Sequence, residues 1–108
     1  MKPTTQNFTR TVGDNYPIKI KLFKSTDIPM DITGGVLTLK ILNAAGTSVE
    51  FTVIGNNIAP LEGEAEFNFN STEFEVIGKY KYEIEFVSQF NIKYTIANGT
   101  FDIIADLG

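Results

Sequence analysis

Glu83 and Glu85 are the two residues of this sequence whose spacing comes nearest to catalytic chemistry. Two positions apart on an extended strand, their carboxylates share one face at about 7 Å. That separation suits the paired carboxylates of glycoside hydrolysis. They also continue a stripe of Lys79, Lys81, Glu83 and Glu85 in "KYKYEIEF". Such a stripe reads as a solvated strand face whose charges pair with neighbouring strands. The second reading is preferred, and no catalytic residue is assigned.

Metal chemistry is next. Glu62, Glu64 and Glu66 form an acidic row beside Gly63, and Asp27 and Asp31 flank a turn. Calcium takes six to eight oxygen ligands, and no calcium-loop spacing occurs here. Histidine and cysteine are both absent, so the commonest zinc ligands and the commonest general base are missing together. No metal and no cofactor is expected. Asn7-Phe8-Thr9, Asn70-Ser71-Thr72 and Asn98-Gly99-Thr100 match the glycosylation acceptor pattern. In a chain this rich in Asn and Thr, chance accounts for them. Gly34-Gly35 is no phosphate loop, because no helix signal follows it.

Aromatic residues in turns are the remaining candidates. Phe90 sits in "VSQFN", where a polar residue is expected; Phe8 lies on the first, edge strand; Phe74 lies in a crossing turn. Aromatic anchors at loop tips mark protein contacts. Phe8, Phe74 and Phe90 are therefore the candidate interface residues. For Phe8 and Phe74 the competing role is to plug the open ends of the fold.

These side chains need elements to hold them, and the elements alternate with period two. "YPIKIKLF" sets Ile18, Ile20 and Leu22 on one face, and "VLTLKIL" does the same with Leu37, Leu39 and Ile41. Val49, Phe51 and Val53 follow, then Ala65, Phe67 and Phe69. "KYKYEIEF" turns Tyr80, Tyr82, Ile84 and Phe86 inward, and the last strand offers Ile92, Tyr94, Ile96, Phe101 and Ile103. Asn98-Gly99 interrupts that strand as a bulge or kink. With "QNFTRTV" at the start, there are about seven strands separated by turn residues, the pattern of an antiparallel sandwich. One helical turn at most is expected, near Thr72–Ile77, where Thr72 and Glu75 have capping-box spacing.

Two corners stand out. In "DIPMDITGG" Pro29 restricts the approach, Asp31 accepts from the backbone two residues on, and Gly34-Gly35 permits a change of direction. Asp31, Thr33 and the two glycines thus read as a crossing between sheets, with the binding surface elsewhere. Gly78-Lys79-Tyr80 has the spacing of a tyrosine corner, in which the Tyr80 hydroxyl returns to the backbone. The usual aspartate of that motif is replaced by Val76.

The totals bound the rest. The 108 residues suit one domain spanning 1–108, long enough to hold a core without disulfides. Net charge is −4 with nine basic residues, which is not the electrostatic footprint of a nucleic-acid binder. The first ten residues lack an apolar signal core, and no run approaches a membrane span. The expectation is a soluble protein outside the usual signal route, with neither nucleic acid, membrane nor small-molecule substrate as partner.

The order of these signals is similar to the N-terminal immunoglobulin-like domain of phage baseplate upper proteins and related tail appendages of phages infecting Gram-positive bacteria. The matching stretches are "TRTVGDNYPIKIKLF", "IPMDITGGVLTLKI", "GKYKYEIEF" and "NGTFDIIADL". The resemblance implies an immunoglobulin-like β-sandwich and a non-enzymatic virion structural role in the tail or baseplate. It implies docking by protein–protein contact with other tail or baseplate proteins, or with itself as a homo-oligomer, after synthesis in the bacterial cytoplasm. Family members commonly continue into a coiled coil, so a chain ending at Gly108 reads as a small tail protein or a docking domain. The alternative function is a carbohydrate-binding sandwich recognising host cell-wall glycans, against which the absence of tryptophan counts.

Overall fold

The strand with the strictest alternation is also the centre of the structure. In the computed structural model, which describes residues 4–5, 7–12, 17–25, 27–69 and 76–105, it is flanked on both sides by partners. In chain order the strands are β1 (Thr4–Thr5), β2 (Phe8–Thr11), β3 (Ile18–Lys21), β4 (Phe23–Ser25), β5 (Ile28–Pro29), β6 (Val36–Leu42), β7 (Val49–Ile54), β8 (Asn56–Ala59), β9 (Glu64–Phe67), β10 (Gly78–Val87) and β11 (Lys93–Ile104). A 3-10 turn, Pro60–Glu62, joins β8 to β9.

The larger sheet runs β1-β11-β10-β6-β7, with β2 also on β11. The smaller runs β3-β9-β8, and β4 pairs with β5 in a separate ladder. Only β1 and β2, which lie parallel to β11, depart from antiparallel pairing. Inward residues of both sheets bury one cluster: Ile18, Ala65, Phe67 and Phe69 from the smaller sheet side, Leu37, Leu39, Ile41, Tyr82, Ile84, Phe86, Ile96, Phe101 and Ile103 from the larger. The fold is therefore all-β, an immunoglobulin-like sandwich. The seven runs of the sequence become eleven segments among the described residues, because corners divide them. At Gly55, for instance, the chain leaves β7 in one sheet and enters β8 in the other. A Cβ there would sit 3.0 Å from Phe67 Cε1 and 3.3 Å from Leu37 Cβ, so the bend runs tight against the core and a side chain would require both neighbours to give.

Several assignments change once the strands are paired. Val49 is exposed, because Ile41 faces Phe51 and Leu42 faces Val49, leaving Glu50 unpaired and turning Val49 outward. The last strand's change of face occurs at Ile96, which falls between the pairs Glu85–Thr95 and Ile84–Ala97; Asn98-Gly99 pairs regularly with Glu83 and Tyr82. Ile92 is half exposed, ahead of β11 in the loop. Of the helical turn expected at Thr72–Ile77, residues 72–75 lie outside the described residues, and Val76 and Ile77 are not helical.

Candidate functional site

Pro29 ends β5, and the crossing that follows is held by a series of local hydrogen bonds. Asp31 Oδ1 accepts from the Thr33 hydroxyl at 2.6 Å and from the Thr33 amide at 2.9 Å. These two bonds, the hydroxyl's first, hold the Asp31 carboxyl below its ordinary 3.8. Ile32 then points inward and is fully buried, its amide donating to the Pro60 carbonyl at 3.0 Å. Gly34 takes a left-handed φ of +75°. Gly35 donates to the Ile32 carbonyl at 3.0 Å and accepts from Asn57 Nδ2 at 3.1 Å. The stretch is a corner between sheets, as its composition suggests.

The hairpin between β10 and β11 is equally constrained. Ser88 N donates to Ile92 O at 2.8 Å, and Asn91 N to Ser88 O at 2.9 Å. Ser88 Oγ accepts from the amides of Phe90 and Ile92 at 3.3 and 3.2 Å. This clasp holds up a tip on which Phe90 is 76% exposed. The two loops adjoin: Gln89 Cβ comes within 3.0 Å of where a Gly34 Cβ would lie, and the Phe86 ring covers Gly35. Between them lies a shallow hollow of about 160 Å³, lined by Met30, Asp31, Thr33, Gln89, Phe90 and Tyr94 among others. The corner and the exposed aromatic thus belong to one surface. Sequence reasoning separated them, because nothing local reveals that the β5–β6 and β10–β11 connections end side by side.

The other candidates lie apart from it. Gly78 opens β10 at its far end, about 30 Å away by strand rise. There the Tyr80 hydroxyl donates to the Val76 carbonyl at 2.9 Å, the hydrogen bond of a tyrosine corner. Phe8 does not join the hollow either. Its parallel pairing opposite Phe101 turns the ring inward, edge-on to Tyr82 at 5.1 Å and 5.7 Å from Phe101. Half-buried, it packs against the core rather than presenting a contact face. Phe74 lies outside the described residues.

Glu85 pairs with the neighbouring strands, as the charged stripe suggests, but it is buried rather than solvated. Only 9% exposed, it lies between Lys40 of β6, at 2.8 Å, and Lys93 of β11, at 3.3 Å, one on each carboxylate oxygen. The Lys40 hydrogen bond chiefly, with help from Lys93, holds its carboxyl below the ordinary 4.5 despite burial. A glycosidase acid needs a raised value, so this carboxylate is set for an ion pair. Glu64 and Glu66 face Lys21 and Lys19 across β9 and β3, with Lys21 Nζ 3.9 Å from Glu64.

No family model matches the chain, and no curated protein matches it. Among solved structures it is similar to CopC from Methylosinus trichosporium OB3b, with 15% identity and a TM-score of 0.49, over 94% of this chain and 90% of that one. At that distance nothing about function transfers.

Proposed function

We propose that this domain is a non-enzymatic docking module of a phage tail or baseplate, holding neighbouring virion components by protein–protein contact. The observation that carries the docking reading is Phe90, 76% exposed on a hairpin clasped by Ser88. A large apolar side chain on a pre-ordered tip loses little entropy when it binds, which is how aromatic anchors contribute to interfaces. The virion role is supported by motifs whose order resembles that of baseplate upper proteins, and it implies assembly in the bacterial cytoplasm. The test is co-assembly: native mass measurement of the chain mixed with tail and baseplate proteins encoded beside it. A stoichiometric complex is expected, weakened about thirtyfold in Phe90→Ala with the melting temperature unchanged. A chain that stays monomeric and inert with every such partner overturns the proposal.

The hollow beside Phe90 also favours a second reading, a glycan-binding sandwich. It offers the aromatic rings of Phe90 and Tyr94, with the buried Phe86 behind them, beside the polar groups of Asp31, Thr33 and Gln89, a combination that stacks and hydrogen-bonds a sugar ring. Cell-wall glycan binding abolished by Phe90→Ala, without any protein complex, would select it over docking.

A further inference from the structure

The β3 edge of the smaller sheet is open, and it has the features of a strand-addition site. Its register shows which backbone groups face outward. Leu22 N donates to Gly63 O at 2.9 Å, continuing the β3–β9 ladder by one pair. Hydrogen-bonded pairs alternate in an antiparallel ladder, so Ile20–Ala65 and Ile18–Phe67 are the bonded ones. The pairs Lys19–Glu66 and Lys21–Glu64 are not. The N–H and C=O groups of Lys19 and Lys21 therefore point away from β9. Among the described residues no strand pairs with β3 on that side, because β1 and β2 are engaged with β11 in the other sheet.

Beside this edge the sandwich gapes. A slot of about 210 Å³ opens along β3, and its apolar wall includes Phe8, Tyr82, Ile84, Ile96 and Ala97. Alternate side chains of an added strand would enter that slot. The others would emerge on the outer face next to Lys19 and Lys21, whose side chains are exposed there. Those lysines face acidic residues already, Glu66 and Glu64, on the β9 side. Charge complementarity asks for the same on the open side. It also distinguishes this edge from β7 of the larger sheet, which carries Glu50 and no cation, and from β8 at the opposite edge of the smaller sheet, which carries no charge.

We propose that the β3 edge accepts an extended acidic segment of a protein partner, alternating acidic and apolar residues, which adds to the smaller sheet as a fourth strand and fills the slot with its apolar face. The partner's backbone supplies affinity through the outward groups of Lys19 and Lys21, and its alternation supplies specificity. The inference rests on the docking reading only in taking a protein as the partner.

The test uses an acetylated, amidated heptapeptide of alternating glutamate and valine, titrated into the isotope-labelled chain and followed by amide chemical shifts. Saturable binding with the largest shifts at Lys19 and Lys21 is expected, weakening as salt is raised. Lys19→Pro is the decisive variant. The amide it deletes makes no bond to β9, so the ladder persists as proline permits on an edge, while peptide affinity falls about tenfold. If that variant misfolds, a peptide N-methylated on alternate residues removes the same bonds from the ligand side and should bind equally poorly. The proposal is overturned by no saturation at millimolar peptide. It is also overturned by equal affinity in Lys19→Pro, or by shifts centred on Thr52 and Ile54 of β7. Self-association of the free chain that Lys19→Pro abolishes would replace the acidic peptide by a second copy. Failure here beside intact co-assembly removes strand addition alone, and peptide binding by a chain that never enters a virion removes the tail reading alone.

Discussion

Replacing Gly35 by alanine should separate steric from conformational reasons for glycine at the corner. Gly35 has no positive φ, so on backbone grounds alanine would stabilise by about 0.4–1 kcal/mol through the unfolded chain. Space forbids it. The new Cβ would overlap Phe86 Cε1 outright and lie 2.6 Å from Cζ and 3.0 Å from the Val87 carbonyl oxygen. Phe86 is 2% exposed and stacked on Tyr94 at 6.4 Å with a 15° interplanar angle. Either the ring leaves its rotamer, or the corner retreats and stretches the Gly35–Ile32 and Asn57–Gly35 hydrogen bonds. Overpacking costs about 1–3 kcal/mol and a weakened hydrogen bond about 1 more. A net loss of about 3 kcal/mol is expected, a large share of a small domain's stability. Phe86→Leu provides the control, since leucine has neither of the two clashing ring atoms. In that background Gly35→Ala should cost less than about 1 kcal/mol, a coupling of about 2 kcal/mol. Urea unfolding followed by tyrosine fluorescence reads all four corners of the cycle, the chain having four tyrosines and no tryptophan. An equal cost in both backgrounds, or a wild-type cost under about 1 kcal/mol, refutes the steric account.

Gly34→Ala should behave differently, losing about 1–2 kcal/mol to its left-handed φ whether residue 86 is Phe or Leu. Tyr80→Phe removes the hydroxyl that donates to Val76; because that carbonyl can turn to water, a loss of about 0.5–1.5 kcal/mol is expected in thermal unfolding. Glu85→Gln should erase a pH-dependent part of stability. The folded carboxyl lies below 4.5, so wild type gains most above that pH and loses the gain as pH falls through the lowered folded value. Stability curves of the two proteins should therefore converge in acid, and a gap that persists or widens there contradicts the ion-pair assignment. Asp31→Ala should lower the unfolding midpoint near neutral pH while leaving partner capture intact, which pull-down beside calorimetry measures. Capture lost at unchanged midpoint would make Asp31 a contact residue.

Local chemistry was legible wherever a residue's role depends on its own neighbours in the chain. Period-two alternation marked β3, β6, β9 and β10, because a half-buried strand exposes its two faces in turn. Asp31 bonds to Thr33, and Tyr80 to Val76, because two- and four-residue separations already bring those groups together. Register was not legible. A single unpaired residue in β7 or β11 inverts the faces beyond it, and only the partner strand determines where that residue falls. Glu85 looked like one more charge on a polar stripe; burial between Lys40 and Lys93 follows from which strands flank β10.

The same limit applies to the surfaces. By itself the sequence determined an all-β chain, its corners, an aromatic residue in the turn at Phe90, and the absence of histidine and cysteine chemistry. Tertiary structure alone decided that Phe90 and Asp31 border one hollow, that Phe8 belongs to the core, and that β3 has an open edge over an apolar slot. Strand order is the physical reason. Which edges stay unpaired, and which loops meet, depends on contacts between residues far apart in the chain, and no local pattern encodes them.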